Sequence, residues 1–125
     1  MVKSIRNVTG FSVKDLAPDI YRQRLVVEGY PKNPITAEQI KDYLSKLSGE
    51  LKMVTLLEPI AHLSPKFGWA GWIHWETSGA HFYAWDRPRV FFSVDIYTCL
   101  KFSNEDAVRF TKEYFDATEV VWKEV

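Results

Sequence analysis

One cysteine, Cys99, is all the chain has, so no internal disulfide can form and no cysteine-based metal spacing exists. No apolar run approaches the ~18 residues of a membrane-spanning helix. The opening Met1-Val-Lys-Ser-Ile-Arg6 lacks the apolar stretch of a secretory signal, so the expectation is a cytoplasmic protein with no membrane partner. Asn7-Val8-Thr9 fits a glycosylation pattern, which without a secretory route is chance. Neither charge is in excess: 16 Lys and Arg face 16 Asp and Glu, scattered rather than clustered. Nucleic acid therefore has no electrostatic footprint here. His62, His74 and His81 lack the spacing of metal ligands, and no metal is expected. There is no Gly-x-Ser-x-Gly elbow, and Gly68-Trp-Ala-Gly71 lacks the spacing of a nucleotide loop.

Absent too are linkers, low-complexity stretches and repeats, so residues 1–125 read as one domain, with 1–16 as an appended N-terminal element. Aromatic residues are abundant at 15%, and Trp69, Trp72, Trp75 and Trp85 crowd into one short segment. Such a cluster suits a core or a subunit interface. A short strand is expected around Ile5–Val13, a turn at Asp15–Pro18 and a strand over Ile20–Tyr30. Thr36 and Gln39 then form a capping-box pattern ahead of Ile40, Tyr43, Leu44 and Leu47, which follow helical spacing to a stop at Gly49. Met53–Leu57 reads as a short buried strand, followed by strands at Phe67–Trp75, Ala80–Trp85 and Val90–Thr98. A second helix runs over Asn104–Phe115 behind Ser103, and Glu119–Trp122 closes the chain as a strand. Two amphipathic helices and a set of antiparallel strands predict an α+β fold: a two-layer sandwich with both helices packed on one face of the sheet.

The chemistry concentrates at Thr77-Ser78-Gly79, where a serine stands at a tight corner, and at Asp95-Ile-Tyr-Thr-Cys99, which ends a strand on the only cysteine. Between them lie His81, Tyr83 and Trp85-Asp86-Arg87. This pattern resembles the centre of the prokaryotic S-adenosylmethionine decarboxylases. The resemblance extends over about residues 19–123, with motif-level likeness at 76–99. It implies a pyruvoyl cofactor made from Ser78: the hydroxyl attacks the preceding carbonyl, a base removes the Cα proton, and the chain breaks. The resulting carbonyl condenses with a substrate amine and takes up the electrons released with carbon dioxide. It also implies polyamine synthesis, a homodimer, and Cys99 as the proton donor.

Several positions depart from the family's pattern. Thr77 stands where a glutamate precedes the serine, and Tyr83 where the family has its histidine. A phenol is a poor proton acceptor at neutral pH. His81 is the substitute base, sharing a strand face with Tyr83. Trp85-Asp86-Arg87 replaces Trp-Pro-Glu, whose glutamate the family uses on the ribose, so Asp86 is the compensating candidate for substrate binding beside Trp85 and Arg87. Leu100 replaces a glycine, and the segment between Trp85 and Asp95 is one residue longer. Three readings remain open. In one, Ser78, His81 or Tyr83, and Cys99 run a decarboxylase on S-adenosylmethionine or another amino acid. In another, the chain is a non-catalytic paralogue that binds a small ligand or regulates an active decarboxylase subunit. A third treats it as a dimerisation module using a Trp69/Trp72/Trp75 face. For Cys99 the alternative is a small buried hydrophobe, and for Ser78 a plain turn residue.

Overall fold

The computed structural model describes residues 14–125, so the strand expected at Ile5–Val13 lies outside the described residues. From there the order is β1 (Gln23–Tyr30), α1 (Ala37–Glu50), β2 (Thr55–Ser64), β3 (Gly68–Trp75), β4 (Ser78–Trp85), β5 (Phe91–Thr98), α2 (Asn104–Tyr114) and β6 (Glu119–Glu124). The six strands form one sheet in the order β2-β3-β4-β5-β1-β6, and every pairing is antiparallel. Both helices lie on one face, α1 over β2 and β3, α2 over β1 and β6. This is the expected two-layer α+β sandwich.

Strand alternation divides the sheet cleanly. Leu25 and Val27, Ile73 and Trp75, Ala80 and Phe82, and Phe92, Val94 and Ile96 all face the helices and are buried. Tyr43 of α1 sits at the centre of this layer, fully buried, with ring centroids 4.9–5.6 Å from Phe82, Phe110, Tyr114 and Phe115. The helix starts behave as expected. Thr36 Oγ1 accepts from the Gln39 N–H at 3.2 Å while Gln39 Oε1 accepts from the Thr36 N–H at 2.9 Å, and Ser103 Oγ accepts from the Asp106 N–H at 3.1 Å.

Three expectations change. Gly49 does not stop α1: the helix runs through it to Glu50, and Lys52, with φ of 58°, supplies the left-handed residue. β2 starts later and runs much further than Met53–Leu57, and Leu56 and Leu57 are more than half exposed because β2 is an edge strand with register breaks between Thr55 and Ile60. The tryptophans do not share a face. Residues three apart in a strand point to opposite sides, so Trp75 is fully buried under α1 while Trp72 faces away from the helices beside His81.

Trp75 also anchors the helix layer by hydrogen bonding. Its Nε1–H donates to Ser48 Oγ at 2.6 Å, and the Ser48 hydroxyl donates on to the Leu44 carbonyl at 3.0 Å. Replacing Ser48 by Ala leaves a buried indole N–H without its partner, an expected cost of about 1–3 kcal/mol. Urea unfolding of Ser48→Ala against the parent measures it, and a loss below a few tenths of a kcal/mol would contradict this role.

Candidate functional site

Among the described residues no helix covers the other face of the sheet, whose register sets residues out in rows. One row runs His74, Gly79, Tyr97, Arg24; the next runs Ile60, Trp72, His81, Asp95, Val26; a third places Tyr83 beside Ser93 and Glu28. Where the first two rows meet the hairpin between β3 and β4 lies an open groove of about 900 Å³. Arg22, Arg24, Trp72, His74, Glu76, Thr77, Ser78, Gly79, His81, Asp95 and Tyr97 line it, together with Ile73, Ala80 and Val125.

Ser78 is not in the corner itself. Glu76-Thr77 makes a two-residue turn, and Ser78 is the first residue of β4, opposite Trp75 on one side and Thr98 on the other. Its Oγ accepts from the Cys99 N–H at 3.1 Å and shares a 2.9 Å hydrogen bond with the Thr77 hydroxyl. The Cys99 amide is aimed there by its own loop. Thr98 Oγ1 donates to the Leu100 carbonyl at 2.6 Å, and the buried Gln23 side chain donates to the Phe102 carbonyl at 3.0 Å and accepts from its N–H at 3.1 Å. The Cys99 side chain is exposed, so the reading of it as a buried hydrophobe is set aside.

His81 and Tyr83 point to the bare face, as their shared alternation implies, and Tyr83 Oη lies 3.3 Å from His81 Nδ1. Ser78 alternates with Ala80 and Phe82 toward the helix side. The base candidates and the serine are therefore on opposite faces of one strand. Trp85, Asp86 and Arg87 are at the far end of β4, about 23 Å from Ser78 at ~3.3 Å per residue. Trp85 packs on Phe91 at 5.4 Å, and Arg87 contacts Asp86 at 3.4 Å and the Pro65 carbonyl at 3.1 Å. Within the chain the structure brings together Ser78 and Cys99, and separately His81 and Tyr83; it does not bring Trp85, Asp86 or Arg87 to either pair.

The groove's charges come in pairs. Arg24 grips Asp95 two-handed, Nε to Oδ1 at 3.0 Å and Nη2 to Oδ2 at 2.8 Å, and hydrogen bonding to that carboxylate raises the guanidinium's pKa further above its ordinary value. Arg22 pairs with Asp15, whose carboxyl is held below its usual value first by the Ala17 N–H and then by Arg22. Sequence reasoning missed Arg24, His74 and Tyr97 as site residues. Their one signal was the strand alternation of Arg22 and Arg24 against Leu25 and Val27, which says which face but not which neighbours. Among the described residues no group of three His, Cys, Asp or Glu could hold a metal ion, and no helix is long and apolar enough to cross a membrane.

A solved structure shares this architecture. The crystal structure of the adenosylmethionine decarboxylase from Aquifex aeolicus VF5 superimposes with a TM-score of 0.70, covering 85% of this chain and 89% of that one. At 13% identity that likeness establishes the fold. The sequence model for S-adenosylmethionine decarboxylase matches residues 23–125, and the chain belongs to that family. A comparison with curated protein sequences gives no match.

The family is generally pyruvoyl-dependent, and the corner can be tested for that group. Ser78 Oγ is held by an amide N–H and a neutral hydroxyl, and among the described residues no imidazole, carboxylate or amine hydrogen-bonds it. Making the group requires a base for the hydroxyl proton and again for the Cα proton. His81 is turned to the other face and engaged with Tyr83. The described residues around Ser78 do not fit formation of the group.

Proposed function

We propose that this S-adenosylmethionine decarboxylase family member keeps the family's ligand groove and has lost its chemistry, with Ser78 remaining an unmodified serine. The observation that carries this reading is the environment of Ser78 Oγ, bound by the Cys99 N–H and Thr77 and, among the described residues, hydrogen-bonded to no imidazole, carboxylate or amine. The groove nonetheless retains aromatic walls in Trp72 and Tyr97 and fixed charges in Arg24 and Asp95, the furniture of a site for a small, partly planar, ionised ligand. The ligand is S-adenosylmethionine, and the protein serves polyamine metabolism by binding it, alone or as the partner of an active decarboxylase subunit. The bare sheet face, with Tyr83, Tyr97 and Ile60 each about half exposed, is the surface on which a second copy or such a subunit would pair.

A second reading, a working decarboxylase with Ser78 as pyruvoyl precursor and Cys99 as proton donor, draws on one observation: the two residues adjoin through the 3.1 Å hydrogen bond. Carboxyl-labelled S-adenosylmethionine separates the two. The expected result is a rise in melting temperature with ligand, following RT ln(1 + [L]/Kd), and no labelled carbon dioxide. Release of carbon dioxide that Ser78→Ala abolishes would establish the decarboxylase instead.

A further inference from the structure

The Arg24–Asp95 pair explains how such a groove could hold an amino acid without a covalent bond. Arg24 and Asp95 come from β1 and β5, and lie on the groove floor in adjacent rows, beside Tyr97 and His81 respectively. The pair is shallow: the two side chains are 46% and 31% exposed, so opening it costs little, since exposed ion pairs contribute about 0–1 kcal/mol. The charged side chains lining the groove are Arg22, Arg24, Glu76 and Asp95, and Arg22 is already paired with Asp15. An amino-acid head, which carries an ammonium and a carboxylate on neighbouring atoms, can be matched on both by an adjacent arginine and aspartate.

We propose that Arg24 and Asp95 form a clamp for the α-amino acid head of the ligand, Arg24 taking the carboxylate in a bidentate grip and Asp95 the ammonium. This rests on the groove-binding function proposed above and adds the specificity rule. The guanidinium fork matches a carboxylate's two oxygens, and the geometry it now makes with Asp95 is the one it would make with the ligand. Binding exchanges one ion pair for two without leaving either protein charge unpaired. Trp72, beside His81 on the neighbouring strand, and Tyr97 stand where the rest of the ligand would lie. The clamp therefore selects an intact amino acid over the amine that its decarboxylation would leave.

The experiment is isothermal titration of the full chain with S-adenosyl-L-methionine and with its decarboxylated amine. The parent protein is expected to bind the amino acid at least ~10-fold more tightly, a difference of about 1.4 kcal/mol. Arg24→Gln should collapse that ratio toward one, because it removes only the carboxylate's partner. Asp95→Asn should weaken both ligands, which share the ammonium. Equal affinity of the parent for the two ligands, or a ratio that survives Arg24→Gln, would overturn the clamp while leaving the groove reading standing. Failure of the parent to bind either ligand overturns both.

Discussion

Tyr43→Ala is expected to cost about 3–5 kcal/mol, a large share of the stability of a domain this size, because it removes a fully buried ring at the meeting point of both helices and the sheet. The ring packs against Phe82 of β4, Phe110 of α2 and Phe115 just beyond it, and no neighbour can move in without uncovering another. Tyr43→Phe makes the control. Its lost hydroxyl is 2.7 Å from Thr111 Oγ1, but Thr111 still donates to the Ala107 carbonyl at 2.7 Å, so the expected loss is only about 1 kcal/mol. Burial also raises the Tyr43 phenol's pKa. The folded chain therefore holds that proton more tightly than the unfolded chain. Its contribution is complete below the unfolded value of about 10 and is lost as pH rises beyond it. Urea unfolding at neutral and alkaline pH measures both effects. A Tyr43→Ala loss under about 1.5 kcal/mol would place the centre of the core elsewhere.

Gly68→Ala carries the second large effect. Gly68 has a φ of 134°, a backbone region closed to residues with a Cβ, and an added Cβ would sit 2.4 Å from the Ala84 carbonyl oxygen. Strain of this kind costs about 1–3 kcal/mol before the carbonyl is displaced. The damage would be local as well as global. Gly68 opens β3 where the Asp86 N–H donates to the Phe67 carbonyl at 2.8 Å, so relief by backbone movement shifts the Trp85–Arg87 end of β4. The expected outcome is a lower melting temperature together with faster amide exchange at Asp86. Unchanged exchange there would show that the strain is absorbed on the β2 side.

The sequence was most legible where structure is local. Capping residues and helical spacing located both helices, since Thr36 with Gln39 and Ser103 act within one turn. It was least legible along β2, where Pro59, Glu58 and His62 interrupt any alternation, because an edge strand with register breaks is exposed on both faces and leaves no periodic trace. Family motifs found Ser78 and Cys99, and the sheet does bring them together. They did not reveal that Ser78 starts a strand rather than standing within a corner, and that step of register puts it on the face opposite His81. Arg24 and Asp95 are 71 positions apart, and only the pairing of β1 with β5 makes them neighbours. The departures from the family pattern at Thr77 and Tyr83 were visible from the start. What the fold adds is their consequence: among the described residues no imidazole, carboxylate or amine hydrogen-bonds the Ser78 hydroxyl.

That consequence is best tested by the intact mass of the purified protein under denaturing conditions, fresh and after long incubation, with Ser78→Ala alongside. A single species near 14.6 kDa, identical in pattern to the variant, is the predicted result. Two fragments corresponding to residues 1–77 and 78–125, the second blocked at its N-terminus and both missing from Ser78→Ala, would contradict it and restore the working decarboxylase.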